Sequence, residues 1–543
     1  MKIVIVGGVA AGAGAAARLR RLDETADIVL LERGAYISYA NCGLPYHIGG
    51  DIAQRESLLV MPEKAFAARF GVDVRIGHEA AAIDRAARTV AIRRPDGETV
   101  VEGYDKLLLA TGSSPIVPPV PGIDHPLVQR LWTIPDMDRI KALADAGARS
   151  AVVVGGGFIG LETAENLRER GLEVTLVELM PQILPTLDRE MTAPLAGEMA
   201  RLGITLELGR KVVGIAPDGD GVAAALDDGR SLRAGLIIMS VGVRPNTGLA
   251  REAGLVLGER GHISVDESLR TSDPDIYAAG DAIEVREPIL GGTTAIPLAG
   301  PANKQARVVA DAMLGRPARY RGSMGASILK LGDLAAASVG FTEQRLRRMG
   351  VDFEKIYLHP ASSATYYPGW GRLHMKLLFA PDGTVLGAQI VGPRGVDKRL
   401  DVIATAMHSR VGVRELADLE LCYAPPFNSA RDPVNMAGMV AQNVLDGESL
   451  ITHADGLPRG AFLLDVRETA ECDAGVIPGS VNIPLDQLRG RIGEIPAGVP
   501  VVAYCQIGLR GYVAERMLRQ HGFTVSNLSG GYLTWKMCNA SLG

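Results

Sequence analysis

"AVVVGGGFIGLETAENLRERGLEVTLVE", residues 151–178, decides the fold. Ala151–Val154 is a short apolar run that reads as a buried strand. "GGGFIG" follows, then Leu161–Arg170 with helical character, then the strand Val174–Val177 ending in Glu178. A tight turn needs positive φ, and a pyrophosphate must approach the backbone with no Cβ in the way. The helix N-terminus then faces the phosphates with free N–H groups, and the acid at the end of the second strand bonds ribose hydroxyls. Gly155, Gly157 and Gly160 match the full G-x-G-x-x-G spacing, which predicts a dinucleotide-binding βαβ unit. The same arrangement opens the chain. Lys2–Val6 is a strand, "GGVAAG" a turn, Ala13–Leu22 a helix, and Ile28–Leu31 a strand ending in Glu32. Val9 stands where the middle glycine belongs, while Gly7 and Gly12 keep the outer positions. Two such units in one chain are far more telling than one.

With 543 residues, the chain holds about three or four domains at roughly 100–200 residues each. Its composition, 47% hydrophobic and 22% charged, suits a core-forming globular protein. A net charge of −5 argues against a nucleic-acid partner, which would want a basic face. No run is long and apolar enough to predict a membrane span. The first twenty residues resemble a signal peptide, but glycines break the apolar run, and strand, turn and helix account for it better. A cytoplasmic location is therefore expected. The five cysteines, Cys42, Cys422, Cys472, Cys505 and Cys538, are odd in number and widely spaced. That argues against a disulfide framework and a zinc site, so no metal is expected, and individual reactive thiols remain.

Further motifs punctuate the chain. "LLLATGSSP" (residues 107–115) is a buried strand running into the Thr111-Gly112 turn, and "TSDPDIYAAGDA" (271–282) is a strand ending at Gly280-Asp281. From about Ser327 the texture changes to alternating, strand-like segments. Together these motifs resemble the two-dinucleotide-binding-domain flavoprotein disulfide reductases over about residues 1–445. The resemblance implies FAD held by Gly7, Gly12 and Glu32, with Thr111 and Gly112 beside the flavin and Asp281 on the ribityl chain. It implies NADH (or NADPH) held by Gly155, Gly157, Gly160 and Glu178, the acid favouring NADH. The dithiol members carry two cysteines five apart. "SYANCGLPY" (38–46) has only Cys42, as in the single-cysteine branch of coenzyme A disulfide reductases, NADH peroxidases, NADH oxidases and persulfide reductases. One thiol must store oxidation as a mixed disulfide, a sulfenic acid or a persulfide. The peroxidases carry a histidine in the first loop where this chain has Ala10, so the coenzyme A group fits better. In that group, residues matching Arg18 or Arg21, Ser38 and Asn41 clasp CoA. Tyrosines of the partner subunit serve as acids at the leaving thiol, here Tyr423 with Tyr367 ahead of Tyr366. A homodimer is implied.

The tail carries different chemistry. "LLDVRE", "GVIPGSVNIPL", "YCQIGLR" and "SGGYLTW" resemble a rhodanese domain. The resemblance makes Cys505 its sulfur carrier and Arg510 the end of its six-residue loop, where N–H groups and a helix N-terminus favour a persulfide anion. Val476 replaces the histidine usual before Ile-Pro-Gly. A dual-specificity phosphatase is the runner-up for this segment.

The expected fold is α/β with an α+β interface domain. Two Rossmann-like dinucleotide-binding domains occupy 1–112 with 246–325 (FAD) and 113–245 (nicotinamide). A dimerisation domain at 326–445, a linker at 446–457 and a rhodanese domain at 458–543 follow. The expected function is reduction of CoA persulfide, CoA disulfide or polysulfide at Cys42, supplied with sulfur by Cys505. One alternative is an NADH oxidase or peroxidase with a sulfenate at Cys42. The other is a sulfur carrier whose flavoprotein part senses redox state.

Overall fold

Gly7 and Gly12 leave no room for a side chain. Gly7 has φ of +105°, and a Cβ on it would lie 2.1 Å from the Ala110 carbonyl oxygen. A Cβ on Gly12 would lie 1.8 Å from the Gly7 carbonyl oxygen. The second loop repeats this: Gly155 has φ of +113°, and a Cβ on Gly160 would lie 1.9 Å from the Gly155 carbonyl oxygen. Each outer glycine therefore packs against its partner, and the strand passes straight into the helix. The helices are Ala10–Leu22 and Phe158–Glu169, three residues earlier at their start than expected, because Gly12 and Gly160 lie inside them.

The computed structural model describes residues 1–542. They form two compact units, residues 1–179 with 210–324, and 180–209 with 325–542. In the first unit, a parallel sheet orders its strands Ile276–Ala278, Lys106–Leu109, Lys2–Val6, Asp27–Glu32 and Asp73–Ile76. Its central strands are buried on both faces, which is why they read as unbroken apolar runs rather than alternating ones. The second glycine loop leaves another parallel sheet, in which Glu173–Glu178, Ser150–Val154, Leu236–Met239 and Val128–Gln129 lie side by side. Both loops thus open at the carboxyl ends of parallel strands, where ligands bind in such folds.

The second unit holds an antiparallel sheet and a parallel one. The antiparallel order is Ser327–Leu331, Leu334–Gly340, Val385–Gly392, His374–Phe379 and Glu354–Leu358. The parallel order is Ile451–Thr452, Val525–Leu528, Val501–Tyr504, Phe462–Asp465 and Val481–Asn482. The stretch 446–457, expected as a linker, contributes the first of these strands: Ile451 and Thr452 pair with Asn527 and Leu528. A two-residue strand has no periodicity to read, so the Gly- and Asp-rich composition around it dominated the expectation. Among the described residues, no helix is long and apolar enough to cross a membrane.

Candidate active sites

Cys42 lies in a short helical turn, Asn41–Gly43, that runs directly into the helix Leu44–Gly49. Ser38, just before it, takes φ of +44°, an unusual conformation for a residue with a side chain. All five cysteines are free thiols, and Cys42 is exposed. Partial burial pushes its thiol pKa up, and the charges of Glu162 and then Asp281 push it further. Tyr46, one helical turn beyond Cys42, donates a hydrogen bond to Glu162 Oε1 at 3.3 Å. Burial pushes the Glu162 carboxyl up to about 7, against the pull of that hydrogen bond. The helix Leu44–Gly49 therefore rests on Phe158–Glu169, the helix that opens at the second glycine loop. Gly49 is required there, since a Cβ would lie 2.0 Å from Asn166 Oδ1.

Ionised Glu162 makes the Cys42 thiolate harder to form. Glu162→Gln is expected to lower the pH midpoint for alkylation of Cys42 by about one unit. Iodoacetamide labelling of Cys42 across pH, read by peptide mass, measures this. An unchanged midpoint would show that the Glu162 charge does not reach the sulfur.

The two glycine loops match in detail. Glu32 Oε2 accepts from Gly8 N at 2.8 Å, and Glu178 Oε2 accepts from Gly156 N at 2.6 Å. A Cβ added to Gly157 would meet nothing within 4 Å. Protein packing thus does not demand glycine at 157, whereas a phosphate group lying on the loop would. The Thr111-Gly112 turn is clamped by Asn246: Thr111 Oγ1 donates to the Asn246 carbonyl at 2.7 Å, and Asn246 Nδ2 donates to the Thr111 carbonyl at 2.8 Å. Asp281 accepts from Ser113 Oγ at 2.7 Å, and burial raises its pKa. Ser38 and Asn41 flank Cys42 in sequence and are half-buried. Arg21 is exposed, whereas the Arg18 guanidinium is engaged by Asp311 at 2.9 Å.

In the second unit, Cys505 follows directly on the strand Val501–Tyr504 and is 1% exposed. The helix Leu509–Gln520 follows, two residues before its expected start near Gly511. Arg510 forms a bidentate pair with Glu471, at 2.6 and 2.7 Å. Arg467, fully buried, is held by Asp465 at 2.6 Å and reaches Gln506 Oε1 at 3.3 Å beside Cys505. Elsewhere in this unit, the hydroxyls of Tyr366 and Tyr423 are 2.8 Å apart. The tyrosine whose hydroxyl meets that of Tyr423 is thus Tyr366, and all three rings, Tyr367 included, are exposed. Asp188, Glu190 and Glu343 point their carboxylates together. The buried Lys376 ammonium occupies their centre, at 2.8, 2.6 and 2.7 Å, so a lysine fills the place of a cation.

The family model of pyridine nucleotide-disulphide oxidoreductases matches residues 1–306. Its dimerisation domain matches 327–434, and a rhodanese-like domain matches 450–538. The chain belongs to the pyridine nucleotide-disulphide oxidoreductase family. It is an oxidoreductase of the class that works with FAD and a nicotinamide cofactor, and its last domain is rhodanese-like. The crystal structure of reduced Bacillus anthracis CoADR-RHD is similar at 45% identity and TM-score 0.97, covering 99% of this chain and 98% of that one. A NAD-dependent persulfide reductase from A. fulgidus is similar at 37% identity and TM-score 0.94, covering 98% and 100%. The coenzyme A disulfide reductase of Staphylococcus aureus (strain bovine RF122 / ET3-1) is 34% identical over 445 residues, 81% of this chain and all of that protein. An NADH oxidase of Methanocaldococcus jannaschii is 33% identical over 444 residues, 80% and 98%.

Several residues that touch these candidate sites lie outside the motifs that point to them. Glu162 stands two residues past the second glycine loop, and only its place on the loop's helix hinted at a role. Asn246 has no motif of its own, and Arg467 was visible only as part of "LLDVRE".

Proposed function

We propose that this oxidoreductase uses NADH to reduce coenzyme A persulfide, coenzyme A disulfide or polysulfide at Cys42. The observation that carries the reading is that Cys42, an exposed thiol, is the one cysteine in the unit that holds both matched glycine loops, on a chain that also carries a rhodanese-type cysteine. Gly7, Gly12, Glu32, Thr111, Gly112 and Asp281 would hold FAD. Gly155, Gly157, Gly160 and Glu178 would hold NADH, and the Glu178 carboxylate would repel the 2′-phosphate of NADPH. The two bound cofactors supply two electrons per turnover.

The Cys42 thiolate attacks the CoA-side sulfur of the substrate. A Cys42–S–S–CoA bond forms and the substrate S–S bond breaks. The leaving group is sulfide from CoA persulfide, or CoA thiolate from CoA disulfide. Two electrons then cleave the mixed disulfide, returning the Cys42 and CoA thiolates. For CoA persulfide, NADH and one proton are exchanged for NAD⁺, CoA thiol and hydrogen sulfide. Ser38, Asn41 and the exposed Arg21 are placed to clasp CoA, with Arg18 shared with Asp311. In a homodimer, Tyr366 and Tyr423 of one protomer would protonate the leaving thiolate of the other, their mutual hydrogen bond setting which phenol donates. At Cys505, the thiolate would take a sulfane sulfur by breaking the donor's S–S bond, releasing sulfite from thiosulfate or the shortened polysulfide, and the Cys505 persulfide would then pass that sulfur to CoA thiolate, giving CoA persulfide and freeing the Cys505 thiolate.

Anaerobic NADH consumption by the purified yellow protein tests this. One sulfide per NADH is expected from CoA persulfide, with kcat/KM higher for NADH than for NADPH. Cys505→Ser should spare CoA persulfide and lose polysulfide turnover. The name of the M. jannaschii relative favours oxygen as a second acceptor, while Ala10 lacks the side chain that the peroxide chemistry uses. Oxygen consumed as fast as CoA persulfide would replace the reductase reading with an oxidase.

The tyrosine pair carries its own prediction. Tyr366→Phe and Tyr423→Phe should each slow turnover by about 10²-fold without loss of FAD. Tyr367→Phe should stay near the parent rate. Steady-state kinetics on the three variants decides it, and full activity in the Tyr366/Tyr423 double variant would remove the phenols from the mechanism.

A further inference from the structure

The turn Ser529–Gly531 separates the Cys505 loop from the dimerisation domain, and it touches both. Gly530 and Gly531 both have positive φ, +70° and +63°. On the front face, a Cβ on Gly531 would lie 2.3 Å from the Cys505 carbonyl oxygen, 2.8 Å from Gly508 N and 3.0 Å from Ile507 N. Tyr532 N donates to the Cys505 carbonyl at 2.8 Å, and Leu533 N donates to that of Gln506 at 3.1 Å. On the back face, a Cβ on Gly530 would lie 2.8 Å from Tyr357 Cβ and 1.9 Å from Thr534 Oγ1. Tyr357 belongs to the strand Glu354–Leu358 of the dimerisation domain, and its N–H donates to Ser529 Oγ at 3.1 Å. His359, just beyond that strand, bonds Thr534 Oγ1 through Nε2 at 2.8 Å, and its Nδ1 lies 2.9 Å from His374 Nδ1. Tyr357, His359, Ser529 and Thr534 are all at most 5% exposed.

We propose that Tyr357 and His359 are positioning residues for the Cys505 site, holding the Gly530–Gly531 turn against the backbone of the Cys505–Gly508 loop. The inference rests on the reading that Cys505 carries sulfane sulfur. The turn is a wedge with no slack: neither face admits a single carbon atom, so a shift at its back passes to its front. The loop N–H groups that stabilise a persulfide anion act through their placement, and displacement of a fraction of an ångström weakens them. The rhodanese-like domain has its own core around Leu464, Val501, Ala503 and Leu518. The bonds through Ser529 and Thr534 are additional to that core, so their loss acts on the loop before it acts on the fold. The two domains then form one sulfur-handling part, and the fusion places the dimerisation domain behind the persulfide loop.

Thr534→Val removes the hydroxyl that His359 bonds and keeps the shape, while Thr534→Ser keeps the hydroxyl. In the full-length, FAD-loaded protein, sulfur transfer from thiosulfate to cyanide should fall by about tenfold to a hundredfold in Thr534→Val, in kcat rather than KM, and stay within about twofold in Thr534→Ser. Ser529→Ala should fall in the same direction. NADH-linked reduction of CoA disulfide should be unchanged in all three. Wild-type transfer rates in both Thr534→Val and Ser529→Ala would overturn the proposal, as would an equal loss in Thr534→Ser. If the parent protein loads no sulfur on Cys505, the sulfur-carrier reading fails by itself. The positioning role is then read from the pH midpoint of Cys505 modification by methyl methanethiosulfonate. That midpoint should rise in Thr534→Val and not in Thr534→Ser, and an unchanged midpoint overturns the proposal there too.

Discussion

Cys42→Ser is expected to abolish reduction of CoA persulfide and CoA disulfide, by a factor on the order of 10⁴ or more, while FAD stays bound and NADH still bleaches its visible absorbance. The hydroxyl is isosteric with the thiol but cannot form the mixed disulfide, so no lesser version of the sulfur chemistry remains. The flavin half-reaction should survive because the groups assigned to the cofactors lie elsewhere. Both glycine loops are built from backbone contacts, and the Thr111 turn is clamped by Asn246. The helix after Cys42 is held through Gly49, Asn166 and Tyr46 rather than through the sulfur. Stopped-flow spectroscopy separates the two halves: rapid bleaching by NADH, then no return of colour when CoA disulfide is added. Turnover at the parent rate would move the nucleophile away from Cys42. Loss of bleaching as well would mean that the serine disturbs the flavin environment, and a Cys42→Ala variant would then be compared.

What the sequence made legible is what the backbone itself enforces. Gly7, Gly12, Gly155 and Gly160 were readable because each would drive a Cβ into a carbonyl group, so the chain has no choice of residue there. Glu32 and Glu178 were readable because a βαβ unit fixes their distance from the loop along the chain. Cys42 was readable as a lone thiol in a stretch of small residues. The Tyr46–Glu162 contact was not, since 116 residues separate the partners and neither has a motif. Asn246 reaches Thr111 across 135 residues for the same reason. Tyr366 and Tyr367 are neighbours of identical chemistry. The path of the loop between strands Glu354–Leu358 and His374–Phe379 decides which of them meets Tyr423, and no pattern of side chains encodes that path. The short strand Ile451–Thr452 is set by its partner Val525–Leu528, not by its own composition.

Lys376→Met is expected to destabilise the second unit by about 3–5 kcal/mol. Lys376 lies on the strand His374–Phe379, and its side chain is wholly buried. Burial alone would push its ammonium toward neutrality, but Glu190, Asp188 and Glu343 outweigh this and raise its pKa. Lys355 shares Glu343 at 2.9 Å and reaches Asp455, in the rhodanese-like domain, at 2.8 Å. Methionine fills the space and removes the charge, taking from Asp188 and Glu190 the cation they face and leaving Glu343 to Lys355 and Arg347. The pH dependence should then reverse. In the parent, burial opposes ionisation of Glu343 but the two lysines win, lowering its pKa from 4.5 to about 2. Its contribution is therefore fully present above 4.5 and is lost as pH falls through about 2. In the variant, repulsion raises the carboxylate pKa values above their unfolded values, so the folded state takes up protons and stability falls as pH rises. The gap between parent and variant should consequently be wider at pH 8 than at pH 5. Adding Glu190→Gln to Lys376→Met should recover part of the loss at pH 8, because Glu190 is one of the charges that lose their cation with Lys376. Denaturant unfolding followed by fluorescence at both pH values measures the midpoints. Equal midpoints for parent and Lys376→Met at pH 8 would show that the carboxylates do not depend on the lysine they surround.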